Sequence, residues 1–222
     1  MKSLLEVDSI VVELGGRKIL HDVYLKNESG TATGILGRNG TGKSCLLQVI
    51  SGGLSPSQQS IKIDGVALSG SYRSPKDLQY LPQHHFIPTA LTTKAVFRDF
   101  RLDIAAFMRE FPAFETCYRQ PLKQLSSGER RLIELYVVLT APTKFCLLDE
   151  PFSMLAPKTI EQIKQLIRRE KSNKGILVTD HSYRHVLDVC EHAYLIREGK
   201  TYPVTSEEDL EALGYIRGAS SD

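Results

Sequence analysis

The sequence predicts an α/β fold in which a core of parallel strands and crossover helices follows an N-terminal antiparallel β subdomain and carries an inserted helical subdomain. Two short continuous apolar runs, Phe145-Cys146-Leu147-Leu148 and Gly175-Ile176-Leu177-Val178-Thr179, read as strands buried on both faces of a parallel sheet. Between them Ile160, Ile163, Leu166 and Ile167 recur at helical spacing and Pro157 suits a first helical turn, so strand, helix and strand form a right-handed crossover. Upstream, apolar alternation around Gly15-Gly16 and Asp64-Gly65 reads as antiparallel hairpins.

Taken in order, residues 9–14 and 18–25 flank Gly15-Gly16 as the arms of the first hairpin. The run Ala32-Thr33-Gly34-Ile35-Leu36 is a strand, and the apolar stretch that begins at Cys45 is a helix. Residues 61–68 form the second hairpin, and Leu78-Gln79-Tyr80-Leu81 is a further strand. From about residue 92 to 140 the apolar residues follow helical spacing, broken at Pro112 and Pro121; this is the inserted helical subdomain. After Gly199 come residues 200–203, a short acidic helix capped near Thr205 or Ser206, and a tail, 218–222, expected to fray. Residues 1–222 are expected to form a single domain.

Composition excludes several functions. With 28 basic and 26 acidic residues and a net charge of +2, no strong field is available to attract nucleic acid. Cys45, Cys117, Cys146 and Cys190 are widely spaced, which suits reduced thiols in the cytosol better than a disulfide framework. The first eight residues lack the apolar stretch of a signal peptide. No apolar run approaches the ~20 residues of a membrane-spanning helix, so direct membrane insertion is not expected.

Chemistry enters at Gly37-Arg38-Asn39-Gly40-Thr41-Gly42-Lys43-Ser44, between the strand ending at Leu36 and the helix. Glycines at the first, fourth and sixth positions let the backbone turn tightly and aim N–H groups at phosphate oxygens, at the positive end of the helix. Lys43, near which the helix starts, would reach the β- and γ-phosphates of ATP, Ser44 would offer a hydroxyl to Mg²⁺, and Cys45 is the last of the expected nucleotide-binding residues of this loop. The bland alternative is a glycine-rich turn that binds nothing. Asp149 and Glu150 follow a buried strand: Asp149 is suited to hold Mg²⁺, and Glu150 to orient or deprotonate the attacking water. Here the alternative is an exposed acidic turn before Pro151.

In this order the elements resemble the ATP-binding subunit of the ATP-binding cassette (ABC) family, which has a P-loop NTPase (RecA-like) core. Besides the phosphate loop and the carboxylates, Gln83 follows a strand at the position of the family's Q-loop. Leu125-Ser126-Ser127-Gly128-Glu129 is similar to the signature Leu-Ser-Gly-Gly-Gln, and a helix with Leu132, Leu135, Tyr136 and Leu139 on one face follows it. His181 matches the switch histidine.

The resemblance implies a head-to-tail dimer that sandwiches each ATP between the phosphate loop of one subunit and Ser126, Ser127 and Gly128 of the other. Plain helix capping by serine is the alternative for that segment. Gln83 would contact Mg²⁺ or the attacking water, or be an ordinary polar loop residue; His181 would donate to the γ-phosphate, a reading preferred over zinc binding with His185. Leu14 stands where the family often stacks an aromatic on adenine, and Ala156 where it usually has an aspartate, which weakens communication between the two sites. The implied partners are an integral-membrane permease subunit and a second ATP-binding subunit, identical or related, and the chain would lie in the cytoplasm on the inner face of the membrane. Phe86, Ile87, Phe97 and Phe100 are candidates for a docking groove, with core packing as the alternative. A soluble ATPase acting on a protein assembly, such as iron–sulfur cluster assembly, is the second function considered. A clamp that binds ATP without hydrolysing it is disfavoured by Glu150 and His181.

Overall fold

A computed structural model describes residues 2–71 and 73–216, so the tail at 218–222 lies outside the described residues. The chain opens with β1 (Leu4–Leu14), whose side chains alternate so that Leu5, Val7, Ile10 and Val12 are buried. β2 (Arg17–Leu20) folds back on its second half across Gly15-Gly16, pairing Leu14 with Arg17. β3 (Tyr24–Glu28) pairs antiparallel with the first half of β1. A bulge at Ser9, held at φ 55°, divides the two halves. Residues 18–25, read as one arm, are thus two strands: the amides of His21 and Asp22 both donate to Gly199 O and turn the chain between them.

β4 (Ala32–Leu36) leads into α1 (Lys43–Ser51). β5 (Gln58–Ile63) pairs with the free edge of β1, and β6 (Val66–Ala67) returns on β5 through Asp64 and Gly65, at φ 54° and 77° as a type I′ turn requires. β7 (Leu78–Leu81) follows. The stretch beyond it holds α2 (Thr93–Asp99), α3 (Ile104–Glu110), two 3₁₀ turns at Pro112–Thr116 and Leu122–Gln124, and α4 (Ser127–Thr140). Its core is aromatic: Phe107 lies 4.8 Å from Phe97, 4.8 Å from Phe114 and 4.9 Å from Tyr136, centroid to centroid. Ile87 and Phe97 are therefore core residues, and Phe100 packs against them; of the four docking candidates Phe86 is the exposed one.

β8 (Phe145–Asp149), α5 (Pro157–Glu170) and β9 (Gly175–Thr179) form the expected crossover. α6 (Tyr183–Val189), β10 (His192–Arg197), β11 (Lys200–Val204) and α7 (Glu207–Ala212) complete the chain, with Ser206 capping α7. The main sheet runs β11-β10-β4-β9-β8-β7, parallel except for β11. Its central strands β4, β8 and β9 are buried throughout because both faces are covered. Ile35, Phe145, Leu147 and Leu177 face α1 and the N-terminal sheet; Leu36, Cys146, Leu148 and Val178 face α4, α5 and α6. All four cysteines are free, and burial pushes the Cys146 thiol up to about 12.

Candidate functional site

The loop from Gly37 to Gly42 joins the end of β4, the middle of the parallel sheet, to α1. Gly42, the N-cap of α1, has φ 102°, and a Cβ there would lie 2.9 Å from side-chain carbons of Ile19 and Leu20. A Cβ on Gly37, at φ 154°, would lie 2.5 Å from Thr41 Oγ1. The loop is closed by Thr41, whose hydroxyl donates to Arg38 O at 2.9 Å. Lys43 folds back into it, donating to Gly37 O at 2.7 Å and Arg38 O at 3.2 Å. Burial lowers the Lys43 pKa, against the opposing pull of Glu150, Asp149 and Asp180.

Asp149 closes β8 almost fully buried; Oδ1 accepts from Ser44 Oγ at 3.1 Å and Thr179 Oγ1 at 2.9 Å, and Oδ2 from Tyr80 OH at 3.2 Å. Burial, with Asp149 as neighbour, raises the Tyr80 phenol above its ordinary range, so it stays a donor. Glu150 adopts φ 51°, a left-handed conformation held by its amide bond to Thr179 O at 2.9 Å. That turn swings its carboxylate off the strand direction into the cleft. There Oε2 is 3.0 Å from Gln83 Nε2, 2.8 Å from His181 Nε2 and 3.3 Å from Ser153 Oγ. His181 Nδ1 is in turn 3.0 Å from Asn39 Oδ1.

Lys43, Ser44, Gln83, Glu150 and His181 share a cleft of about 430 Å³, lined also by Leu14, Gly40 and Cys45, with Asp149 buried behind Ser44. Leu14 is 45% exposed at its mouth, an apolar surface that a planar ring can lie against. Gly37 and Arg38 line a neighbouring hollow with Tyr183 and Tyr215. The cleft suits a polyphosphate and its cation: among the described residues Lys43 is bonded only to main-chain carbonyls, and Ser44 Oγ lies 3.1 Å from the buried Asp149 Oδ1.

Ser126, Ser127 and Gly128 are not in this cleft. They line a separate groove of about 730 Å³ at the N-terminus of α4, with Phe111, Met154 and Ala156. The capping reading of the segment is realised. Ser126 Oγ accepts from Glu129 N at 3.2 Å while Glu129 Oε2 accepts from Ser126 N at 2.7 Å, a complete capping box. Glu129 in place of glutamine thus serves as the cap's carboxylate. A Cβ on Gly128 would lie 2.7 Å from Met154 O, so glycine alone fits there. Ala156 occupies the N-cap of α5 without a side-chain cap.

Sequence reasoning missed Tyr80, Thr179 and Arg131. The Arg131 guanidinium is fully buried, donating to Pro82 O at 2.7 Å, Asp149 O at 2.6 Å and Glu150 O at 3.0 Å, and ties α4 to both the Gln83 segment and the carboxylates. The available signal was a charged residue on the apolar face of an amphipathic helix. Tyr80 and Thr179 carried none, since they reach Asp149 only through the pairing of β8 with β7 and β9.

Residues 20–153 match the family model for the ABC transporter. The chain is 34% identical over 224 residues, covering 94% of itself and 92% of its relative, to the lipopolysaccharide export system ATP-binding protein LptB of Haemophilus influenzae. To the protein of the same name from Escherichia coli K12 it is 36% identical over 200 residues, covering 83% of each. A solved ATP-binding subunit of an ABC transporter superposes with a TM-score of 0.79 at 23% identity, over 98% of this chain and 95% of that one. An ATP-bound bacterial Atm1-family exporter gives 0.80 at 19% identity, over 96% of this chain and 40% of that one; both likenesses concern the fold. Relatives named as transport components favour the transport reading over the soluble assembly factor. The chain belongs to the ABC transporter family and is an ATP-binding subunit that hydrolyses ATP to power transport.

Proposed function

We propose that two such subunits, identical or related, close head to tail on ATP, each completing the other's nucleotide site with Ser126, Ser127 and Gly128. The observation that carries this reading is the convergence of Gln83 and His181 on Glu150 Oε2, in the cleft that holds Lys43 and Ser44. Residues 37–45 cradle the phosphates through main-chain N–H groups and the α1 dipole, and Leu14 lies against the adenine. Lys43 leaves its carbonyl partners for the phosphate oxygens, a charge-assisted exchange that compensates its burial. Ser44, Asp149 and Gln83 would hold Mg²⁺ together with the substrate's phosphates. The ion supplies neutralisation of charge on the phosphates.

Glu150 takes the proton of the attacking water, and His181 orients Glu150 and donates toward the γ-phosphate. In this reading residues 1–222 work as one ATP-binding domain, with 92–140 as its helical insert. Motion at Gln83 passes through that insert to an integral-membrane permease, and the chain lies in the cytoplasm on the inner face of the membrane. Glu150→Gln tests it: ATP binding is retained, turnover falls at least ~100-fold, and an ATP-dependent dimer accumulates in gel filtration. Unchanged turnover would remove Glu150 from the mechanism.

A further inference from the structure

His85 lies two residues beyond Gln83, with its side chain 19% exposed. Its Nδ1 is 2.8 Å from Glu134 Oε2 and its Nε2 is 3.0 Å from Ser127 Oγ. Glu134, on α4, is buried, and its other oxygen accepts from the amides of Phe86 at 3.0 Å and Ile87 at 3.2 Å. An ionised carboxylate only accepts, so the ring proton belongs on Nδ1 and leaves Nε2 facing the Ser127 hydroxyl. Segment 82–87 is thus fastened at both ends. At one end Gln83 is bonded to Glu150 and Pro82 O to Arg131; at the other, His85 meets Ser127. The Ser127 hydroxyl has one proton to give, either to His85 Nε2 or to Met154 Sδ at 3.0 Å, on the segment that ends at Ala156. A methyl group at Ala156 offers no charged contact across an interface, whereas the His85 path is unbroken.

We propose that His85 is a positioning residue that transmits the state of one nucleotide site, felt through Glu150 and Gln83, to the Ser127 hydroxyl that grips the nucleotide of the other. It rests on the head-to-tail dimer proposed above. Hydrogen bonds between named atoms join Glu150 to Gln83 and His85 to Ser127, and two residues of backbone join Gln83 to His85, so the path has a physical basis beyond proximity.

The test is steady-state ATPase kinetics on the full-length chain. His85→Asn keeps a polar atom near the Nδ1 position for Glu134 but cannot reach Ser127; His85→Gln reaches Ser127 and gives up Glu134. His85→Asn is expected to raise KM for ATP about fivefold to tenfold, the worth of one hydrogen bond, with little change in kcat, and to lower the Hill coefficient in ATP from above one to about one. Ser127→Ala should raise KM similarly, the double variant should be no worse than either single one, and His85→Gln should recover most of the affinity lost in His85→Asn. A wild-type KM or Hill coefficient in His85→Asn, additive effects in the double variant, or no recovery in His85→Gln would each overturn the proposal. The dimer is checked separately with Glu150→Gln. If no ATP-dependent dimer forms, the shared site fails and the proposal with it; if the dimer forms and the effects are additive, the His85 link alone fails.

Discussion

Lys43 holds the strongest opposition of forces in the cleft. The residue is only 6% exposed, burial lowers its pKa, and its ammonium donates to two main-chain carbonyls. A cation so placed is most favourable when an anion joins it. Lys43→Ala is therefore expected to weaken ATP binding by about tenfold to a hundredfold, as loss of a charged hydrogen bond implies, measured by titration with a fluorescent nucleotide. Normal affinity would contradict the cradle. At this scale the phosphate loop was legible in the sequence because its function is written in contiguous residues and in glycines that the backbone demands at φ 78° and 102°. The left-handed turn at Glu150 was not. No glycine marks it, and it is imposed by the amide bond to Thr179, 29 residues away.

Among the elements, caps and turns followed local chemistry closely. Ser126-x-x-Glu129 forms a capping box and Asp64-Gly65 a tight hairpin, because each motif satisfies its own backbone groups. The contact between α5 and α6 shows what local chemistry omits. Buried Lys164 reaches Asp188 at 3.0 Å, and Arg168 reaches the same carboxylate at 2.7 Å. The hydrogen bond from Lys164 is the main reason the Asp188 carboxyl lies below its ordinary 3.8, and the attraction of Arg168 adds to it. A depressed carboxyl contributes stability above the unfolded value, and loses it as pH falls through the folded one. Asp188→Asn is expected to lower the melting temperature by about 1–3 °C at pH 7, a screened and partly exposed pair being worth little. That difference should close as the pH is taken below 3.8, followed by calorimetry. A gap that persisted in acid would show that Asp188 acts through packing instead.

At the scale of the molecule, the cleft opens where β4, β8 and β9 end, at the carboxyl edge of the parallel sheet, where such folds bind ligands. Ser126 to Gly128 lie in a different groove, which in the proposed head-to-tail dimer would face the other subunit's nucleotide. Among the described residues no helix is long and apolar enough to cross a membrane. Attachment through a permease predicts that native membranes, dissolved in mild detergent, release this chain with a polytopic membrane protein in about one-to-one ratio, as mass spectrometry would show. Recovery with cytosolic proteins alone would count against attachment through a permease.

The sequence alone determined the strand, loop and helix of the phosphate cradle, the paired carboxylates and the capped signature helix, since each depends on neighbours within a few positions. It could not show that Tyr80 and Thr179 converge on Asp149, that Arg131 is a buried fastener, or that His85 joins Ser127. Those contacts span 18 to 69 residues and follow from the register of β7, β8 and β9 and from the packing of α4 beneath them. Tertiary structure decided them because strand pairing and core packing, unlike caps and turns, are settled only when distant segments meet.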